Sequence, residues 1–161
     1  MSGETLVTFT DPFGLRADSL DVQGPELKDA LRKAKLILTA SAGNGDAKAQ
    51  ETLAGIQYLE DASFTIAIKP GATTQTSGDG RTITYDQDEL SGRVKSTIHY
   101  PAATLVHELG HAFTNPNNQS NPLYWNKSDF VANSWENTVR IPLHMCPRNV
   151  ESHAPVPLHG C

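Results

Sequence analysis

Two prolines frame the most constrained stretch of this 161-residue chain. Pro101 suits the first turn of a helix, where its missing N–H costs nothing. Asn115-Pro116-Asn117-Asn118 favours a stop. Between them the sequence predicts a helix to about Thr114, and inside it stands His107-Glu108-Leu109-Gly110-His111. Histidines at i and i+4 share one helix face, about one turn apart. Leu105, Val106, Leu109, Ala112 and Phe113 surround them with apolar surface, so the helix is expected to be at least half buried. Gly110 costs roughly 1 kcal/mol of helix stability against alanine. Its presence predicts another backbone approaching closely.

Two imidazoles one turn apart can reach the same metal ion. Glu108 lies roughly 100° around the helix and comes up beside that ion, not onto it. There a carboxylate can take a proton from a water that zinc has acidified, and later hand it to a leaving amine. The plainer alternative is a buried helix with two hydrogen-bonded histidines and a surface glutamate.

A catalytic zinc needs a third protein ligand and one open position. An extended motif with a third histidine is absent, because Thr114 and Asn117 occupy the relevant positions. The next predicted helix offers Glu136, whose alternative role is an i, i+4 ion pair with Arg140. Asp129 is a second candidate ligand and also a candidate N-cap. His144 is a third, or a donor to a tetrahedral intermediate, or an ordinary loop histidine. Asn137 and Arg140 can orient the site from behind.

Elsewhere the chain reads as mixed helix and strand. Helices are expected over about 25–40, from Pro25, and over 46–60, capped by Asp46. Phe64 to Ile68 and Arg81 to Tyr85 alternate as strands, and Val94 to Tyr100 is a possible third. The stretch from Gly71 to Gly80 reads as a loop. The expected fold is therefore α+β, with a small antiparallel sheet, the histidine helix and a helix carrying Glu136 packed across it. Residues 1–22 read as an extended tail, 23–145 as the functional domain, and 146–161 as an irregular C-terminal tail.

Composition narrows the partners. Thirteen Lys and Arg against eighteen Asp and Glu give a formal charge of −5. Nucleic-acid binding needs a basic stripe, and none is present. No polybasic run supports a membrane anchor, and no apolar stretch is long enough to span a bilayer. Met1-Ser2-Gly3-Glu4-Thr5 has neither a positive nor an apolar region and does not read as a signal peptide. Cys146 and Cys161 can close one disulfide or remain two thiols. A zinc deaminase would carry His-x-Glu and Pro-Cys-x-x-Cys. Here Cys146-Pro147 runs in the reverse order, with no second cysteine nearby.

Leu105-Val106-His107-Glu108-Leu109-Gly110-His111-Ala112, followed by Glu136-Asn137-x-x-Arg140, resembles the effector-type (NleD-like) zinc endopeptidases. The resemblance spans roughly residues 80–141. It implies a zincin-like fold of the gluzincin type, with Zn2+ on His107, His111 and Glu136 and with Glu108 as the catalytic carboxylate. Separately, Thr10-Asp11-Pro12-Phe13-Gly14-Leu15 resembles the junction that ends the core of Rhs-repeat polymorphic toxins. That resemblance implies a toxin domain delivered into a target cell within a larger secreted protein. Its partners would be the Rhs shell, a protein substrate and a cognate immunity protein. The expectation from another class is a binding module that uses a zincin-like fold to hold a partner without turnover.

Overall fold

The computed structural model describes residues 19–92, 100–120 and 127–151. Strand β1 (Leu20–Val22) leads into helices α1 (Pro25–Gly43) and α2 (Ala47–Glu60). Then come β2 (Ile66–Gly71), β3 (Gln75–Thr76), β4 (Thr82–Asp86) and the short α3 (Gln87–Leu90). Helices α4 (Pro101–Thr114) and α5 (Ser128–Arg140) complete the fold, and a 3-10 turn (Ile141–Leu143) follows α5.

The helices form where local signals are strong. Pro25 and Pro101 occupy first-turn positions of α1 and α4. Asp46 caps α2 by accepting from the N–H groups of Lys48 and Ala49, at 2.9 and 3.2 Å. In α5 the helix begins at Ser128, with Lys127 at the N-cap, so Asp129 lies inside the first turn. It is not the cap that the sequence suggests. An acid there still suits the positive end of the helix dipole.

The sheet has four strands in the order β1-β2-β4-β3. It is mixed, not the antiparallel sheet expected from the sequence. β1 pairs with β2 in parallel, β2 with β4 in parallel, and only β3 with β4 runs antiparallel. The reason is connectivity. The α1–α2 pair intervenes between β1 and β2, and a crossover of that length returns the chain in the same direction. Leu20–Val22, expected in the tail, is thus an edge strand of the sheet. Of the expected third strand over 94–100, residues 94–99 lie outside the described residues, and Tyr100 is the N-cap of α4.

Ile66, Ile68, Ile83 and Tyr85 alternate inward from β2 and β4 and are fully buried. They join Leu27, Ala34 and Leu38 of α1, Ile56 and Leu59 of α2, and Leu105, Val106 and Leu109 of α4 in one core. α4, which carries the histidine motif, packs against α5, α1, α2, β3 and β4. Where α4 crosses α5, a Cβ on Gly110 would stand 2.8 Å from the Cα of Ala132. This is the close backbone approach that the glycine implied. Among the described residues, no helix is long and apolar enough to cross a membrane.

Candidate metal centre

The motif residues meet at one cavity of about 520 Å³. His107, Glu108 and His111 line it from α4, Thr74 to Gly78 from β3 and its flanks, and Asn115, Ser128 and Arg148 from the remaining sides. His107 and Glu108 each keep only 7% of their surface exposed. Burial of such groups is tolerated only when partners compensate for lost water, and the partners are specific.

The two imidazoles stand edge to face, with centroids 4.8 Å apart and planes at 78°. Their Nε2 atoms face each other at 3.2 Å. Zn–N bonds of 2.0–2.1 Å at a near-tetrahedral angle separate two ligand nitrogens by about 3.3 Å. The spacing therefore fits two donors on one ion. It also fits an N–H···N hydrogen bond between the rings, so the outer nitrogens bear on the choice. His107 Nδ1 meets Glu136 Oε1 at 2.9 Å. A carboxylate only accepts, so a hydrogen bond across this contact would place the proton on Nδ1 and leave the Nε2 lone pair for another partner. His111 Nδ1 meets the Ser128 hydroxyl at 2.7 Å, and that hydroxyl lies 2.8 Å from the hydroxyl of Thr114. A hydroxyl can accept from Nδ1 or donate to it.

Glu136 is nearly fully buried and is the hub behind His107. Its Oε1 contacts both His107 Nδ1, at 2.9 Å, and Arg148 Nε, at 2.7 Å. Its Oε2 lies 3.3 Å from Arg140 Nη1. Burial alone would push its carboxyl pKa up, but His107 and Arg148 outweigh burial and hold it below the usual glutamate value. The expected third ligand thus sits on the outer nitrogen of His107, across the ring from Nε2. Asp129 approaches the Nε2 pair from α5, with Oδ1 4.0 Å from His111 Nε2 and a side chain 59% exposed. Among the described residues, no three His, Cys, Asp or Glu side chains are gathered as a metal site.

Glu108 is held from across the cavity. The Thr76 hydroxyl lies 2.7 Å from Glu108 Oε1 and 3.0 Å from the carbonyl oxygen of the same residue. The two-residue strand β3 therefore aims the carboxylate, a role invisible in a stretch that reads as loop.

The other expected residues divide. Arg140 reaches Glu136 and also donates from Nε to the Cys146 carbonyl at 2.6 Å. Asn137 does not approach the histidines. It clamps the main chain of Arg148, donating to its carbonyl at 2.9 Å and accepting from its N–H at 2.7 Å. His144 is exposed in a left-handed conformation (φ 57°) and is not among the residues lining the cavity. Cys146 is disulfide-bonded, and its partner lies outside the described residues. So do the stretch 10–15 and the segment 121–126.

Arg148 escaped the sequence reading. One signal was available: the last 61 residues hold only Lys127, Arg140 and Arg148 as basic side chains, and two of the three converge on Glu136. Compared with family models, with curated proteins and with solved structures, the chain shows no match.

Proposed function

We propose that this chain is a zinc-dependent endopeptidase, delivered as the toxin domain of a larger Rhs-type protein. The observation that carries the enzymatic part is the facing of His107 and His111 through Nε2 at 3.2 Å, with Glu108 in the same cavity. The delivery part rests on the resemblance at residues 10–15.

In this reading His107 and His111 hold the metal. Asp129, whose exposed carboxylate lies 4.0 Å from His111 Nε2, would supply the third ligand, and Glu136 would orient His107 from behind, a common arrangement for ligating histidines. Bound zinc would acidify a water and polarise the scissile carbonyl. Glu108, fixed by Thr76, accepts the proton from water and passes it to the departing amine. The edge of β3, beside the cavity, can align an extended substrate chain by strand addition.

Metal analysis and turnover test the reading together. The parent should hold about one zinc per chain and cleave peptides, with turnover lost on chelation. Glu108→Gln should keep zinc and lose turnover. Asp129→Ala should lose zinc. Glu136→Ala losing zinc while Asp129→Ala keeps it would return the third-ligand role to Glu136. Zinc bound without turnover would favour the binding module, and no zinc at all would leave His107 and His111 as ordinary helix residues.

A further inference from the structure

The cavity wall has an unusual chemistry. Ligand pockets are lined mainly by hydrophobic side chains. Here the described lining residues include no purely hydrocarbon side chain: they are hydroxyls, amides, two imidazoles, one carboxylate, a glycine and Arg148. Polar and charged contacts are therefore available to select a substrate here, and Arg148 is the one Lys or Arg among these lining residues.

Arg148 is also unusually well fixed. Asn137 holds its N–H and carbonyl together. Two residues earlier, the carbonyl of Cys146 accepts from Arg140, and the Met145 N–H donates to the Arg140 carbonyl at 3.0 Å. The guanidinium shares Glu136 Oε1 with His107, which sets it beside the metal-facing imidazole. Neutralising Glu136 does not by itself require this residue, because Arg140 already contacts the other carboxylate oxygen with a side chain only 1% exposed. Arg148 keeps 20% of its side chain exposed and lines the cavity.

We propose that Arg148 makes this cavity select protein substrates that place an Asp or Glu side chain within two residues of the bond cut. The proposal rests on the peptidase reading above. A guanidinium forms strong, directional, charge-assisted hydrogen bonds to carboxylates and discriminates against the neutral amide. The expected preference for Asp or Glu over Asn or Gln at that position is about tenfold or more.

The test is cleavage of a randomised peptide library by the zinc-loaded full chain. The proposal expects acidic residues enriched at one fixed position. Arg148→Glu should move that enrichment to Lys and Arg, and Arg148→Gln, an uncharged replacement should the reversal fail to fold, should flatten it. A profile without acidic preference, or one unchanged in either variant while the rate falls, assigns Arg148 a purely structural role. That outcome overturns the proposal and leaves the peptidase reading intact. Cleavage of no library member by protein that holds zinc overturns both. A second readout needs no turnover. By fluorescence anisotropy, a labelled Glu-containing peptide taken from the library hits should bind the zinc-free chain more tightly than its Gln counterpart, and Arg148→Gln should abolish the difference. Equal binding of the two peptides to the parent counts against the proposal.

Discussion

Thr76 holds Glu108 from the opposite wall of the cavity, its hydroxyl 2.7 Å from the carboxylate Oε1. The strand that supplies this hydroxyl is only two residues long, and its register on β4 (Gln75 opposite Thr84, Thr76 opposite Ile83) fixes where the hydroxyl points. A glutamate on a helix next to a metal site would otherwise sample several rotamers.

Thr76→Val keeps the shape of the side chain and removes the donor. A hydrogen bond to a charged group contributes roughly 1.5–3 kcal/mol, so kcat should fall by about tenfold to a hundredfold. Zinc content should stay at the parent value, since Thr76 touches no nitrogen ligand. An unchanged kcat would show that Glu108 needs no support from β3.

Metal binding should appear as stability. A ligand at about 100 times its Kd adds roughly 2.7 kcal/mol to the folded state. For a domain of this size that raises Tm by about 5–10 °C. Calorimetry with and without added zinc should show this rise, reversed by chelator and absent in His107→Ala. An identical Tm in all three conditions would count against a metal site.

Gly110→Ala tests the crossing of α4 and α5. Helix propensity alone would make the substitution stabilising by roughly 1 kcal/mol. The added Cβ, however, would stand 2.8 Å from Ala132 Cα, a backbone atom that cannot rotate away. Overpacking should win and destabilise by about 1–3 kcal/mol in denaturant titration. A gain in stability would mean that the helices are further apart than described.

Asn118→Ala should be among the more damaging polar substitutions. This residue is 2% exposed. Its amide donates to the carbonyls of Gly80 and Ala112, at 2.7 and 3.0 Å, and accepts from Arg81 Nε at 2.6 Å. It thus joins the β3–β4 turn to the end of α4. Orphaning buried carbonyls costs about 1–3 kcal/mol each, so Tm should drop by about 5 °C or more. A drop under 1 °C would show that water replaces the amide without loss.

The sequence reading did best where a signal is local. Asp46 and the prolines at 25 and 101 set helix starts within the chain itself, and the i, i+4 histidines needed only one helix to be brought together. It did worst where pairing across the chain decides. β1 and β3 have three and two residues, too few to show alternation, and become strands only because β2 and β4 present partners. The parallel order likewise follows from the α1–α2 crossover and not from any strand's own pattern. Glu136 shows the same limit at the site. Its place on the next predicted helix indicated a shared role, but which side of the imidazole it meets is decided where Arg140 and Arg148 also hold the carboxylate.

The contact between Gly110 and Ala132 has a mechanical consequence. With two helix backbones seated directly on each other, α4 and α5 have no side-chain layer between them at that point to slide or repack. His111 on one helix and Ser128 and Asp129 on the other therefore travel as a single rigid jaw. Under the peptidase reading, admission of a substrate would fall to the facing jaw, the short strand β3 and its flanks from Thr74 to Gly78. Among the described residues, that jaw is tied to its counterpart by the hydroxyl of Thr76, by the amides of Asn115 and Asn117, which reach the carbonyls of Gly78 and Asp79, and, at the β3–β4 turn, by Asn118 and Arg81.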